Sequence, residues 1–145
     1  MDYWDTSALL KLYAPEPDSA RFLARVAEGQ RPLLTADLTA VELRCALQRK
    51  EHVGDLKAGG ATALFERFTH DVTAGRIITV PYGPTVLEGV QQLVVRAYSA
   101  DPPVMIRSLD AVHVASALAS RAARVVATDT RLRDAAALVA LRVAP

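Results

Sequence analysis

Short apolar runs alternate with stretches of helical spacing along the whole chain, and that alternation leaves few architectures open. The first run, residues 2–4, stops at Asp5, and a helical pattern over about residues 6–13 starts at once and closes before Pro15. A second helix starts at Pro17-Asp18-Ser19, carries Phe22, Leu23 and Val26 on one face, and stops near Gly29. Leu33-Leu34-Thr35 reads as a buried strand, and Thr39 opens a helix carrying Val41, Ala46 and Leu47. Residues from Asp55 to about Thr73 look helical, with a break or a close contact expected at Gly59-Gly60, since each glycine costs about 1 kcal/mol relative to alanine. Ile77–Val80 is a strand ended by Pro81, and Pro84 starts a helix. Residues 100–107, with Pro102-Pro103, form a loop. Leu109–Ala122 is a helix, Val125–Thr128 a strand, Thr130–Leu138 a helix and Leu141–Val143 a last short strand. Strands separated by helices pair in parallel and carry helices on both faces, an α/β fold. No linker divides residues 1–145, which read as a single domain.

Composition excludes more than it selects. Hydrophobic residues make up 51% and charged residues 23%, ordinary proportions for a globular protein. The net charge of +1 gives no global field toward nucleic acid or membrane, so any attraction must be local. Arginine outnumbers lysine, which occurs only as Lys11, Lys50 and Lys57. Cys45 is the sole cysteine, so no intrachain disulfide forms and a reducing cytosol suits the chain. No apolar run approaches the roughly 18 residues of a membrane span, and the amino terminus lacks a signal pattern. A cytoplasmic protein without membrane partners is expected.

Four acids carry the chemistry. Asp5 lies at the carboxyl end of the first strand, where open α/β sheets place their ligands. Val125-Val126-Ala127-Thr128-Asp129 repeats the arrangement, and Glu42 and Asp110 begin other helices. Each has a plainer reading. Asp5 and Asp129 can cap the helices that follow them. Thr39-Ala40-Val41-Glu42 matches a capping box, in which Glu42 binds the Thr39 N–H. Asp110, two residues after Ser108, complements a helix dipole. The case for function is joint: parallel strands end at one edge, so topology alone gathers Asp5, Glu42 and Asp129 there. Asp110 follows no clear strand. Its helix, Leu109–Ala119, is apolar nearly all round, however, and Asp110 and His113 share one face at i, i+3 spacing. A carboxylate drawn from water needs a cation or donors. His113 reads as a histidine hydrogen-bonded beside the core in preference to a metal ligand.

Four carboxylates without a Cys/His set specify a hard ion, Mg2+ or Mn2+. Crowded carboxylates repel, and a cation relieves the repulsion. Such a site also draws phosphate. One or two ions there would activate water for in-line displacement, so the residues point to metal-assisted phosphoester hydrolysis.

The set Asp5-Thr6-Ser7-Ala8-Leu9, Glu42-Leu43, Leu109-Asp110-Ala111-x-His113-x-Ala115-x-Ala117, and Thr128-Asp129 with Arg131-Leu132 resembles the PIN domain, in particular the VapC-type ribonuclease toxins of bacterial toxin–antitoxin pairs. The resemblance covers essentially the whole chain. It implies a three-layer α/β/α sandwich about a parallel sheet of four or five strands. It also implies Mg2+- or Mn2+-dependent RNA cleavage leaving a 5′-phosphate and a 3′-hydroxyl, with Asp5, Glu42, Asp110 and Asp129 as catalytic and metal-binding acids. The family's small hydroxyl residues correspond to Thr6 or Ser7 and to Thr128, which would hydrogen-bond the carboxylates or, equally, cap helices. The implied partners are RNA, a cognate antitoxin that inserts toward the acidic groove, and a second copy in a homodimer. Lys11, Arg44, Arg49, Arg131 and Arg133 are candidates for RNA phosphates. The stretch at Gly59-Gly60 and the proline-rich loop at 100–107 depart from the pattern without touching the acids.

Other classes meet specific objections. A receiver-like phosphoacceptor resembles this acid pattern but needs a late lysine, and none follows Lys57. A haloacid-dehalogenase-type phosphatase wants a second Asp where Ser7 stands. A structure-specific DNA nuclease needs clamping elements for which the chain is short. A catalytically silent PIN-like RNA-binding or scaffold module is the alternative that stays open.

Overall fold

Tyr3 and Trp4 are neighbours in one strand and therefore face opposite ways. That single step separates the two halves of the core. A computed structural model describes residues 1–29 and 32–144. Its elements run β1 (Asp2–Trp4), α1 (Thr6–Leu10), α2 (Ser19–Glu28), β2 (Leu33–Ala36), α3 (Thr39–His52), α4 (Gly60–Thr73), β3 (Ile77–Val80), α5 (Pro84–Tyr98), α6 (Ser108–Ala119), β4 (Arg124–Val126), α7 (Thr130–Leu138) and β5 (Arg142–Ala144). The strands pair in parallel in the order β3-β2-β1-β4-β5, with Tyr3 opposite Leu34 on one side and Val125 on the other. The expected parallel sheet is present, with five strands.

On one face Tyr3, Leu34 and Val125 pack with Leu93, Val114 and Leu132, side chains of α5, α6 and α7. On the other, Trp4, Leu33 and Val126 pack with Phe22, Leu43, Leu47 and Phe68 of α2, α3 and α4. The order explains the layers. The chain moves from β1 to β2 to β3 in one direction, then returns past β1 to β4 and β5 in the other. Right-handed crossovers put helices from opposite directions on opposite faces. The reversal falls between β1 and β4, where an open α/β sheet leaves a crevice at its carboxyl edge.

Element ends depart from the sequence reading in five elements. The first helix stops at Leu10, and residues 11–13 are a turn. The helix expected from Asp55 begins only at Gly60. Gly59 has φ +80°, a left-handed conformation that breaks the helical run, and the Asp55 and Leu56 N–H groups bond back to Lys50 O. The helix expected to reach Ala122 ends at Ala119, with Arg121 at φ +53°. The strand expected over 125–128 occupies Arg124–Val126, and the last strand lies one residue later than expected. No helix among the described residues is long and apolar enough to cross a membrane.

Candidate active site

The carboxyl edge of the sheet opens into a groove of about 580 Å3. It is lined by Asp5, Glu42, Asp110 and Asp129, together with Thr6, Ser7, His113, Arg49, Arg107, Cys45 and the apolar Leu10, Val41, Ala46 and Leu109. Each acid arrives by a short route. Asp5 directly follows β1, and its N–H bonds Val126 O across to β4 at 3.1 Å. Asp129 follows β4, and Glu42 lies in the first turn of α3 after β2. Asp110 comes from the other layer, in the first turn of α6. Seven consecutive residues of that helix, Ala111–Ala117, are buried, as its all-round apolar sequence requires.

The plainer readings hold for two acids and fail for a third. Asp5 Oδ1 accepts from Ala8 N at 2.8 Å, and Asp129 Oδ1 accepts from Arg131 N at 2.9 Å, so both cap helices while lining the groove. Glu42 makes no capping box. Its Oε2 accepts from the Thr6 hydroxyl and lies 2.8 Å from His113 Nε2. Thr39 turns instead to Thr35, with the two hydroxyls 2.7 Å apart.

These surroundings push the acids apart electrostatically. Burial raises the Asp5 carboxyl above its usual range, although the Ala8 N–H and Ser7 hydroxyl oppose the shift. Burial also raises Asp110, and the negative charge of Asp129 adds to it. Asp110 Oδ2 is buried without a hydrogen-bond partner. Glu42 goes the other way. Burial works against its charge, but hydrogen bonds from His113 and Thr6 prevail and hold it below the usual range. Tyr3, which touches His113, is raised well above its ordinary value by burial.

The hydroxyl residues sit beside the acids. Ser7 Oγ reaches Asp5 Oδ2 at 2.7 Å and Thr128 Oγ1 at 2.6 Å, tying the ends of β1 and β4 together. The basic candidates divide. Arg49 lines the groove. The Lys11 ammonium is held by Glu16 at 2.5 Å and Asp18 at 2.6 Å, and its side chain is only 10% exposed. Arg44 lies over the Phe65 ring and donates to Thr62. Arg131 meets the site through its backbone N–H, and Arg133 donates to Ala127 O and Ala144 O. Arg107, which the sequence reading passed over inside a proline-rich loop, lines the groove. Its position directly before the Asp110 helix was the available signal.

The donor set is oxygen-rich and hard, and Asp110 brings an unsatisfied buried oxygen to it, so the residues fit a divalent cation of the Mg2+ or Mn2+ type. Among the described residues no three His, Cys, Asp or Glu side chains converge as a ready-made metal cluster; the acids are spread along the groove.

Comparison with known proteins agrees with this architecture. The PIN domain family matches residues 3–138. The structure of FitAcB from Neisseria gonorrhoeae is similar over 100% of this chain and 97% of its own, at 23% identity and a TM-score of 0.73. FitAB bound to an IR36 DNA fragment is similar over 99% and 94%, at 20% identity and a TM-score of 0.73. VapBC2 from Rickettsia felis, bound to a DNA fragment from its promoter, is similar over 99% and 98%, at 13% identity and a TM-score of 0.67. No curated protein sequence matches the chain.

Proposed function

The chain belongs to the PIN domain family, and from that premise we propose that it is a metal-dependent endoribonuclease, the toxin of a type II toxin–antitoxin pair. The observation that carries the reading is the groove itself. Four acids from distant parts of the chain line one cleft, and one of them holds a buried oxygen with no partner. The toxin assignment draws on the likeness to toxin–antitoxin structures such as a VapBC-1 complex from nontypeable Haemophilus influenzae, at 14% identity and a TM-score of 0.67. A cognate antitoxin and a homodimer are proposed on the same ground.

Asp5 and Asp110 are the main proposed ligands, and Glu42 and Asp129 bind directly or through water. A divalent ion bound there supplies charge neutralisation for phosphate oxygens and acidifies water. The side chains do the rest. Ser7 and the Ala8 N–H hold Asp5 in one rotamer. Glu42, kept ionised by His113 and Thr6, orients the attacking water and accepts a proton from it. Arg49 and Arg107 hold the RNA phosphates on the groove wall. Water oxygen attacks phosphorus in line, the bond to the 3′ oxygen breaks, and that oxygen takes up a proton from solvent water, leaving a 5′-phosphate and a 3′-hydroxyl.

RNA cleavage by the wild type, Asp5→Asn and Asp110→Asn in Mg2+ or Mn2+, with circular dichroism to verify folding, tests the proposal. Both variants should lose at least about 100-fold in rate, roughly 3 kcal/mol of barrier. Full metal-dependent cleavage by folded variants refutes the site. The spread of the acids along the groove is what a catalytically silent RNA-binding or scaffold module would share. Calorimetry with Mn2+ separates the two, because the silent module gives no binding heat.

A further inference from the structure

Tyr3 takes no part in the chemistry just described and His113 enters it only through Glu42, yet together they form a buried polar chain that ends on that acid. Tyr3 is 0% and His113 3% exposed. The Tyr3 hydroxyl lies 2.8 Å from His113 Nδ1, and His113 Nε2 lies 2.8 Å from Glu42 Oε2.

With the His113 imidazole neutral, counting protons gives the direction of this chain. A neutral imidazole has one N–H and one bare nitrogen. Glu42, as a carboxylate, can only accept, so Nε2 must carry the hydrogen. Nδ1 is then bare and accepts from the Tyr3 hydroxyl. The other tautomer would aim a lone pair at the carboxylate. A second arm obeys the same count. Thr35 Oγ1 donates to Trp4 O at 2.7 Å, so Thr39, 2.7 Å from Thr35, spends its proton there. Thr6 receives none from Thr39 and gives its own to Glu42. Both arms end on Oε2, and among the described residues Oε1 takes no hydrogen bond from the protein.

We propose that Tyr3 and His113 are positioning residues. Glu42 fixes His113 as the Nε2–H tautomer, Tyr3 holds the ring in place by donating to its bare Nδ1, and His113 in turn pins one oxygen of Glu42 and leaves the other for a cation or water in the groove. The inference rests on the nuclease reading for its purpose, but the tautomer lock is a property of the chain alone. Partners of this kind beside a ligand change metal affinity by about 10- to 100-fold when removed.

The test uses the full metal-free chain labelled with 15N. Long-range 1H–15N correlation at about pH 8, well above the ordinary histidine pKa, should show His113 as Nε2–H. A dominant Nδ1–H form overturns the proposal. Tyr3→Phe keeps the ring and removes the donor. It should keep the Nε2–H form, which Glu42 imposes, but bind Mn2+ about tenfold more weakly by calorimetry because the ring is no longer held. His113→Gln, which keeps an N–H donor near the Nε2 position, should retain more Mn2+ affinity than His113→Leu. Variants that bind Mn2+ as the wild type does, while melting at lower temperature, show a merely structural pair and also overturn it. If His113→Leu does not fold, the wild-type spectrum and Tyr3→Phe still decide. A wild type with the Nε2–H form that binds no Mn2+ sinks the nuclease reading and upholds the lock.

Discussion

Asp71 illustrates what a single well-partnered carboxylate contributes. It accepts from Tyr13 Oη at 2.7 Å and from Arg76 Nε at 2.7 Å. Burial opposes its charge, but the Tyr13 and Arg76 bonds outweigh burial and hold the carboxyl below its usual range. A carboxyl whose pKa is lower folded than unfolded stabilises the fold above the unfolded value near 3.9 and loses that contribution as pH falls through the folded value. The melting temperature of the wild type should therefore fall more steeply than that of Asp71→Asn between about pH 4 and pH 2. Parallel slopes in thermal melts over that range would show that the bonds do not matter. The same partner logic decided which acids could be read from sequence. Asp5 and Asp129 cap the helices directly after them, and local spacing displays that. The partners of Glu42 are Thr6 and His113, 36 and 71 residues away. The neighbouring Thr39 offered a local partner and was taken up by Thr35 instead, which no short-range pattern reveals.

Elements were legible where a hydrophobic period or a proline set them. Pro84 starts α5 where expected, and the all-round apolar run of α6 is buried as expected. Ends were harder, because backbone handedness is not written in hydropathy. The start of α4 turns on Gly59, whose φ of +80° ends one hydrogen-bonding pattern before the next begins. The pair Gly59-Gly60 signalled a break but not that all of residues 55–59 would lie outside the helix. A Cβ at Gly59 meets nothing within 4 Å, so the cost of Gly59→Ala is conformational alone. A non-glycine residue in the left-handed region costs about 1–2 kcal/mol. The variant should melt about 3–6 °C lower with activity unchanged. Differential scanning calorimetry checks this, and an unchanged or raised melting temperature would mean that the backbone relaxes out of the left-handed region.

At the scale of the whole molecule, alternating strand and helix patterns were enough to give the parallel sheet and its two covered faces, since handedness leaves few other arrangements. They did not give the strand order, on which the meeting of Asp110 with the other acids depends. A ligand that binds only the folded groove stabilises the whole fold. At about 100 times Kd the gain is roughly 2.7 kcal/mol, or about 5–10 °C in melting temperature for a chain of this size. Mn2+ should raise the melting temperature of the wild type by that amount and that of Asp110→Asn by much less, and EDTA should reverse the rise; equal shifts in both proteins would place binding elsewhere. The order of the strands has one more outcome. β1 leaves the ribosome before β2 and β3, yet one of its two neighbours, β4, leaves after both, with Tyr3 paired to Val125. A growing polypeptide thus carries Asp5 with half of its cleft still untranslated until α6, β4 and Asp129 follow. On the proposed nuclease reading, the translating machinery meets no finished cutting edge until the strand that brings Asp129 has been made.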